Sequence, residues 1–242
     1  MPPIKGLVDR LRLALALGEN VNAMAVRSLV TELFFGMFYV VWQPYVLSLG
    51  ATLPQLGLIQ GVMILSAALG SLIWGRLSDI WGRKPVIVVS VFCRLLALFF
   101  CLFAESWLSF IGFGILKWLS ATWQQTNPAD SALIAESVDE ARVGTAVSVY
   151  MSIGLIASIM LAPLGGYLAL RGMHRLIFLS CIAGELFNTI YLSLRIRETL
   201  GRRAETLRRS LPGLRFSLRD LLGFESELIP FYLVDMIGFQ PF

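Results

Sequence analysis

Four ionisable residues stand where charge is costly: Glu32, Arg94, Lys117 and Glu185 each lie inside a long apolar run. A charge near the middle of a bilayer costs about 3 kcal/mol on insertion scales, so each needs a partner, water or a solute. The chemistry open to such groups is ion pairing, proton carriage or the binding of a charged solute. Glu32, Tyr39 and Gln43, with Gly36 between, follow helical spacing and share one face. A polar stripe on a spanning helix faces protein or water rather than lipid. A second reading of Glu32 remains open, in which it sits near the inner end of its helix and reaches the interface. Lys117, Ser120 and Gln124 form another stripe, and Gln125, Thr126 and Asn127 extend it. Unlike arginine, a buried lysine can give up its proton.

The elements that position these residues are transmembrane helices. Hydrophobic residues make up 57% of the 242 and charged residues 15%, with mean hydropathy +0.74. A soluble domain carries about a quarter charged residues. Apolar runs of about 20 residues match the thickness of a bilayer crossed as a helix. They lack the strict alternation of barrel strands. Six spans are expected, at about Val26–Ser48, Pro54–Gly75, Pro85–Ala104, Trp107–Asn127, Val143–Leu170 and His174–Leu194. Small residues four apart, such as Gly57 and Gly61, or Gly154, Ser158, Ala162 and Gly166, let helix backbones approach closely.

Between the second and third spans lies Gly75-Arg-Leu-Ser-Asp-Ile-Trp-Gly-Arg-Lys84. Gly82 lets the chain reverse, and Pro85 suits the first turn of the next helix. Asp79 precedes Arg83 by four residues and can pair with it across the turn. The string resembles the signature loop between helices two and three of the major facilitator superfamily. Gly75, Leu77, Asp79, Gly82, Arg83 and Lys84 match that loop, Ser78 replaces another small residue, and Ile80 stands where a basic residue is usual. Ala132-Leu-Ile-Ala-Glu136 with Arg142-Val-Gly144 resembles the family's connection between helices four and five. Asp130 or Glu136 from this acidic segment is a candidate partner for Arg83, and a solvated cytoplasmic face is the other reading. Ala162-Pro-Leu-Gly-Gly166 resembles the antiporters' glycine–proline string, one residue shorter and without its first glycine, and points to export.

Gly166 to Arg175 echoes Gly75 to Lys84, so spans one to three and four to six look like two copies of one unit. This matches the inverted three-plus-three repeats of such transporters. The resemblance implies an all-α integral membrane protein, a six-helix bundle forming half of a twelve-helix transporter. Helices one and four would line the solute path, making Glu32, Tyr39, Gln43, Lys117, Ser120 and Gln124 the path residues. Gly75, Asp79, Gly82, Arg83 and Lys84 would be the gating motif. Arg94 and Glu185 occupy corresponding third helices, which pack behind the path. They are expected to form a structural pair, within about 8 Å if water can bridge them; a transport role for them is the alternative.

The expected organisation is a cytoplasmic amphipathic segment over 1–25, a six-helix domain over 26–194 and an arginine-rich cytoplasmic connector over 195–227. The run 228–242, containing Asp235, reads as the cut-off start of a seventh helix. Of 20 lysines and arginines, Arg94 and Lys117 lie within spans, Arg171 and Arg175 fall outside, and the rest fall inside. That asymmetry places the N-terminus in the cytoplasm and explains the net charge of +4 by orientation and anionic lipid rather than nucleic acid. A multi-pass plasma-membrane location is expected. Cys93, Cys101 and Cys181 have no metal-ligand spacing, and His174 is the only histidine; no cofactor or metal is expected. The function expected is transport of a small solute, with protons as the coupling ion and the bilayer and a second six-helix half as partners. Glu32, Lys117 and Asp235 are the candidate proton carriers. A regulatory half-transporter and an intramembrane enzyme are the competing classes.

Overall fold

The structure, a computed structural model, describes residues 18–118, 120 and 127–200. Its helices are α1 (Glu19–Ser48), α2 (Leu53–Trp81), α3 (Arg83–Leu102), α4 (Ser109–Trp118), α5 (Pro128–Glu136), α6 (Val143–Leu170) and α7 (His174–Arg195). A short 3₁₀ turn, Glu140–Arg142, leads into α6. Among the described residues, five helices are long and apolar enough to cross a membrane: α1, α2, α3, α6 (with that turn) and α7.

Three boundaries differ from the sequence reading. Helix α2 runs on to Trp81, past the expected end at Gly75, so most of the expected turn is helix. Helix α1 starts at Glu19, ahead of Val26, because no glycine or proline intervenes and Asn20 and Val21 are already buried. The fourth span is not one helix to Asn127. Asn127 has extended backbone, its side chain accepts from Ala129 N, and its own N–H donates to Asp130 at 3.1 Å. This capping box with Pro128 starts a separate helix, α5. The expectations for 1–17, for Gln124 to Thr126, for the connector beyond residue 200 and for the run 228–242 concern residues outside the described ones.

The helices pair as two copies of one unit. The first helix of the first triplet, α1, packs most heavily on α6, the second member of the other triplet; α2 correspondingly packs on α4, and α3 on α7. The α1–α6 and α2–α4 pairs run parallel. Along α1, Ser28, Glu32 and Gly36 meet Gly154 and Ser158 of α6 in increasing order. Along α2, Met63 meets Gly114 and Gly75 meets Pro128.

Small residues set the distance between α1 and α6. A Cβ on Gly36 would lie within contact-breaking range of the Ser158 backbone carbonyl, and one on Gly165 would lie 2.6 Å from Met37 Cα. Beside this seam, Phe35, Phe38, Trp42, Phe110, Phe113 and Phe178 fill the part of the core away from the Gly82 turn with Cys101 and Cys181. Tyr45 stacks on His174, centroids 4.5 Å apart, closing α1 onto the start of α7. The apolar windows of α2 and α6 are only 22% and 17% buried, against 56% for α1. Leu58, Leu65 and Leu69 on α2, and Leu155, Ile159 and Met160 on α6, present bare hydrocarbon. Such a surface suits lipid or another apolar partner, not water.

Gly36→Ala is expected to weaken the folded state by about 1–3 kcal/mol, the cost of overpacking a rigid seam. Gly57→Ala, where nothing lies within 4 Å of the new methyl, should be silent. Thermal unfolding of the two purified variants in detergent checks the contrast.

Candidate functional site

The charged turn forms one face of the site. Helix α2 ends at Trp81 and α3 begins at Arg83, so Gly82 alone makes the corner, with φ +108°. That left-handed backbone favours glycine. Arg83 Nη1 donates to Asp79 at 2.6 Å and to Ser78 Oγ at 2.7 Å. Its Nη2 donates to Glu136 at the end of α5 at 3.0 Å. Of the two acids considered as partners, Glu136 is the one that meets Arg83. One guanidinium therefore joins the two triplets through two carboxylates. The Asp79 side chain is 58% exposed and Glu136 34%, so water and salt weaken this cluster. Gly75 packs on Pro128, 3.7 Å from the position of a Cβ. Lys84 contributes a backbone N–H to a contact described below.

Asp130 goes elsewhere. It is fully buried and accepts from Arg27 Nη1 at 2.6 Å. The sequence reading put Arg27 among the cytoplasmic bases and Asp130 in an acidic surface segment. Because α1 begins early and α5 folds against it, both are taken into the core instead. Ser28 Oγ donates to the Tyr150 carbonyl beside them.

Deeper in the bundle, Arg94 Nη2 on α3 donates to Glu185 on α7 at 2.7 Å. The side chains are 4% and 0% exposed. Thr31 of α1 completes the network. Its hydroxyl donates to the other Glu185 oxygen at 2.9 Å and accepts from Asn188 Nδ2 at 2.7 Å. Sequence reasoning missed Thr31 and Asn188, since uncharged polar residues inside a spanning helix are common and their partners lie over 150 positions away. Arg94 Nε and Asn188 Oδ1 have no hydrogen-bond partner among the described residues.

Lys117, Glu32, Ser120, Tyr39 and Gln43 are the described residues expected to line a solute path. Lys117 is buried, its Nζ 5.9 Å from the Phe35 centroid and 5.6 Å from Phe113. Arg94 Cζ lies 5.8 Å from the same Phe35 ring. Two cations thus share one aromatic ring, which their charges favour. Glu32 is half-buried over Gly154. Ser120 is buried and donates to the Lys117 carbonyl at 2.7 Å, so its hydroxyl is partly spent on the last turn of α4. Tyr39 is half-buried against Phe35 and Phe38, centroids 5.9 and 6.3 Å away. Gln43 is half-buried one turn further on. Of the residues expected to line a solute path, the structure brings Lys117 to the Phe35 ring that Arg94, the partner of Glu185, also meets. It does not bring Gln43 into a hydrogen bond with any of them.

A three-plus-three helix bundle with a charged hinge turn and balanced intramembrane charges defines a multi-pass membrane protein of transporter type. Residues 24–234 match the family model of the Major Facilitator Superfamily, and the chain belongs to that family of transporters. It is 32% identical over 126 residues to the multi-drug resistance efflux pump PmrA of Streptococcus pneumoniae, a stretch covering 51% of this chain and 30% of PmrA. It is 28% identical over 171 residues to Hippocampus abundant transcript-like protein 1 of Bos taurus, covering 70% of this chain and 32% of that protein. Its fold resembles the crystal structure of the human organic anion transporter MFSD10 (TETRAN), with TM-score 0.60 and 15% identity, over 84% of this chain and 52% of that one. The chain spans about a third of the length of the curated relatives it matches.

Removing one member of the Arg94–Glu185 pair should cost about 3–5 kcal/mol, because the other charge is left buried and alone. Arg94→Met with Glu185→Leu should recover most of that loss. A double-mutant cycle on thermal stability in detergent checks it; equal losses in the single and double variants would contradict the pairing energetics.

Proposed function

We propose that this chain supplies one six-helix half of a secondary active transporter that exports a small solute by alternating access, driven by protons. The second half would come from a further six-helix unit. The N-terminus and the Gly75–Lys84 turn would face the cytoplasm of a plasma membrane. The observation that carries this reading is the Asp79–Arg83–Glu136 cluster. It joins the two triplets at one end through exposed, breakable contacts, whereas the Arg94–Glu185 pair that joins them inside is sealed. A bundle joined firmly within and lightly at one mouth is suited to opening at that mouth.

Glu32 and Lys117 support the solute path. Glu32 is half-buried and Lys117 buried, on the first helices of the two triplets. Glu32 is the carboxyl we assign to proton carriage, since Asp130 and Glu185 are engaged in short ion pairs. Similarity to a multi-drug efflux pump and the Ala162–Gly166 string support export. The similarity to Major Facilitator Superfamily transporters, rather than any cluster of catalytic groups, sets the class.

Asp79→Asn in the full-length protein is expected to slow turnover about tenfold while changing solute affinity little, because it shifts the balance of end states rather than the binding contacts. Glu32→Gln should abolish movement driven by a pH gradient while leaving solute exchange intact. Proteoliposomes loaded with a panel of fluorescent organic cations and anions provide both readouts. Unchanged turnover in Asp79→Asn, or undiminished gradient-driven movement in Glu32→Gln, would overturn the corresponding assignment.

A further inference from the structure

Beyond α7 the chain turns back onto the charged turn. The Glu198 carboxylate sits over the first residues of α3. Its Oε1 accepts from Arg83 N at 2.9 Å, and its Oε2 accepts from Lys84 N at 3.0 Å. Oε1 also accepts from Thr199 N at 3.1 Å and Leu200 N at 3.0 Å. The first N–H groups of a helix have no partner within it, and the helix dipole favours an anion there. Gly82, the α3 N-cap, has no side chain to offer, and a Cβ there would meet Glu198 Oε2 at 2.5 Å. The cap that α3 cannot draw from its own sequence is supplied from more than a hundred residues away.

The neighbours of Glu198 are tied down too. Thr199 Oγ1 donates to Glu136 Oε2 at 2.5 Å, leaving Glu136 Oε1 for Arg83. Asn20 of α1 clasps the backbone of Arg197 on both sides: Arg197 N donates to its Oδ1 at 2.8 Å, and its Nδ2 donates to the Arg197 carbonyl at 3.1 Å. Three consecutive residues thus bind α1, α3 and α5.

We propose that Glu198 is a positioning residue of the gate. It orients Arg83 by capping the helix that carries it, and Thr199 orients Glu136 from the other side, so the segment after α7 sets the strength of the Asp79–Arg83–Glu136 cluster. Any force on the connector that pulls Glu198 away uncaps α3 and loosens Arg83 in the same step. This rests on the turn acting as a gate.

Two measurements on the full-length protein test it. In hydrogen exchange, Glu198→Ala should speed exchange at the Arg83 and Lys84 amides about tenfold, the size of a lost cap, with Glu198→Asp intermediate and helix cores unchanged. In a cysteine-free background carrying Gln43→Cys, Glu198→Ala should shift labelling by a membrane-impermeant maleimide in the same direction as Asp79→Asn. If exchange is unchanged, or if Asp79→Asn moves labelling and Glu198→Ala does not, the positioning role is wrong. If neither variant moves labelling while exchange at Arg83 and Lys84 rises, the turn is not a gate and the proposal falls with it.

Discussion

Charge buried at membrane depth has to be neutralised, and that constraint organises this bundle. Arg94 with Glu185 and Arg27 with Asp130 form short ion pairs, each between different helices. Glu32 and Lys117 add a further acid and a further base to the same bundle, half-buried and buried respectively. Water cannot screen these groups, so misplacing one helix would strand several charges at once. The pairs therefore act less as net stabilisers than as registration marks. Arg94 can reach Glu185 only when α3 and α7 lie against each other at one height, and Thr31 adds α1 to the same level.

The small-residue seam works in the opposite way. Between α1 and α6 no charge pair fixes the spacing; backbone contact does. Gly36, Gly154 and Gly165 bring main chains together where any side chain would collide. Apolar attraction between helices is weak in lipid, so close packing and interhelical hydrogen bonds must supply cohesion. The Ser28 bond to the Tyr150 carbonyl lies in this seam and marks its register.

Legibility in the sequence followed separation along the chain and the conspicuousness of the residue. Asp79 and Arg83 are four apart on the edge of a turn, and their contact could be read directly. Arg94 and Glu185 are 91 apart, but the repeat made their helices equivalent and their charges stood out among apolar neighbours. Arg27 did not stand out, because it lies close to a basic N-terminal segment and looks like one more interfacial base. Asp130 was hidden among the acids of a segment that reads as solvated. Asn127 combined two signals, a helix stripe and an N-cap before proline, and the cap prevailed because Asp130 closes the box with it. Glu198 is one of two acids in the arginine-rich stretch 195–209, and nothing local says that its partners are backbone amides of a distant helix.

The contacts also differ in how easily they open. Arg27–Asp130 and Arg94–Glu185 are sealed, and breaking either exposes a charge to a medium that cannot solvate it. At the turn end, Asp79, Glu136 and Glu198 all bind from positions that water reaches, so their separation exchanges protein contacts for hydration at small net cost. Motion confined to the exposed end would keep the Arg27–Asp130 and Arg94–Glu185 pairs intact throughout.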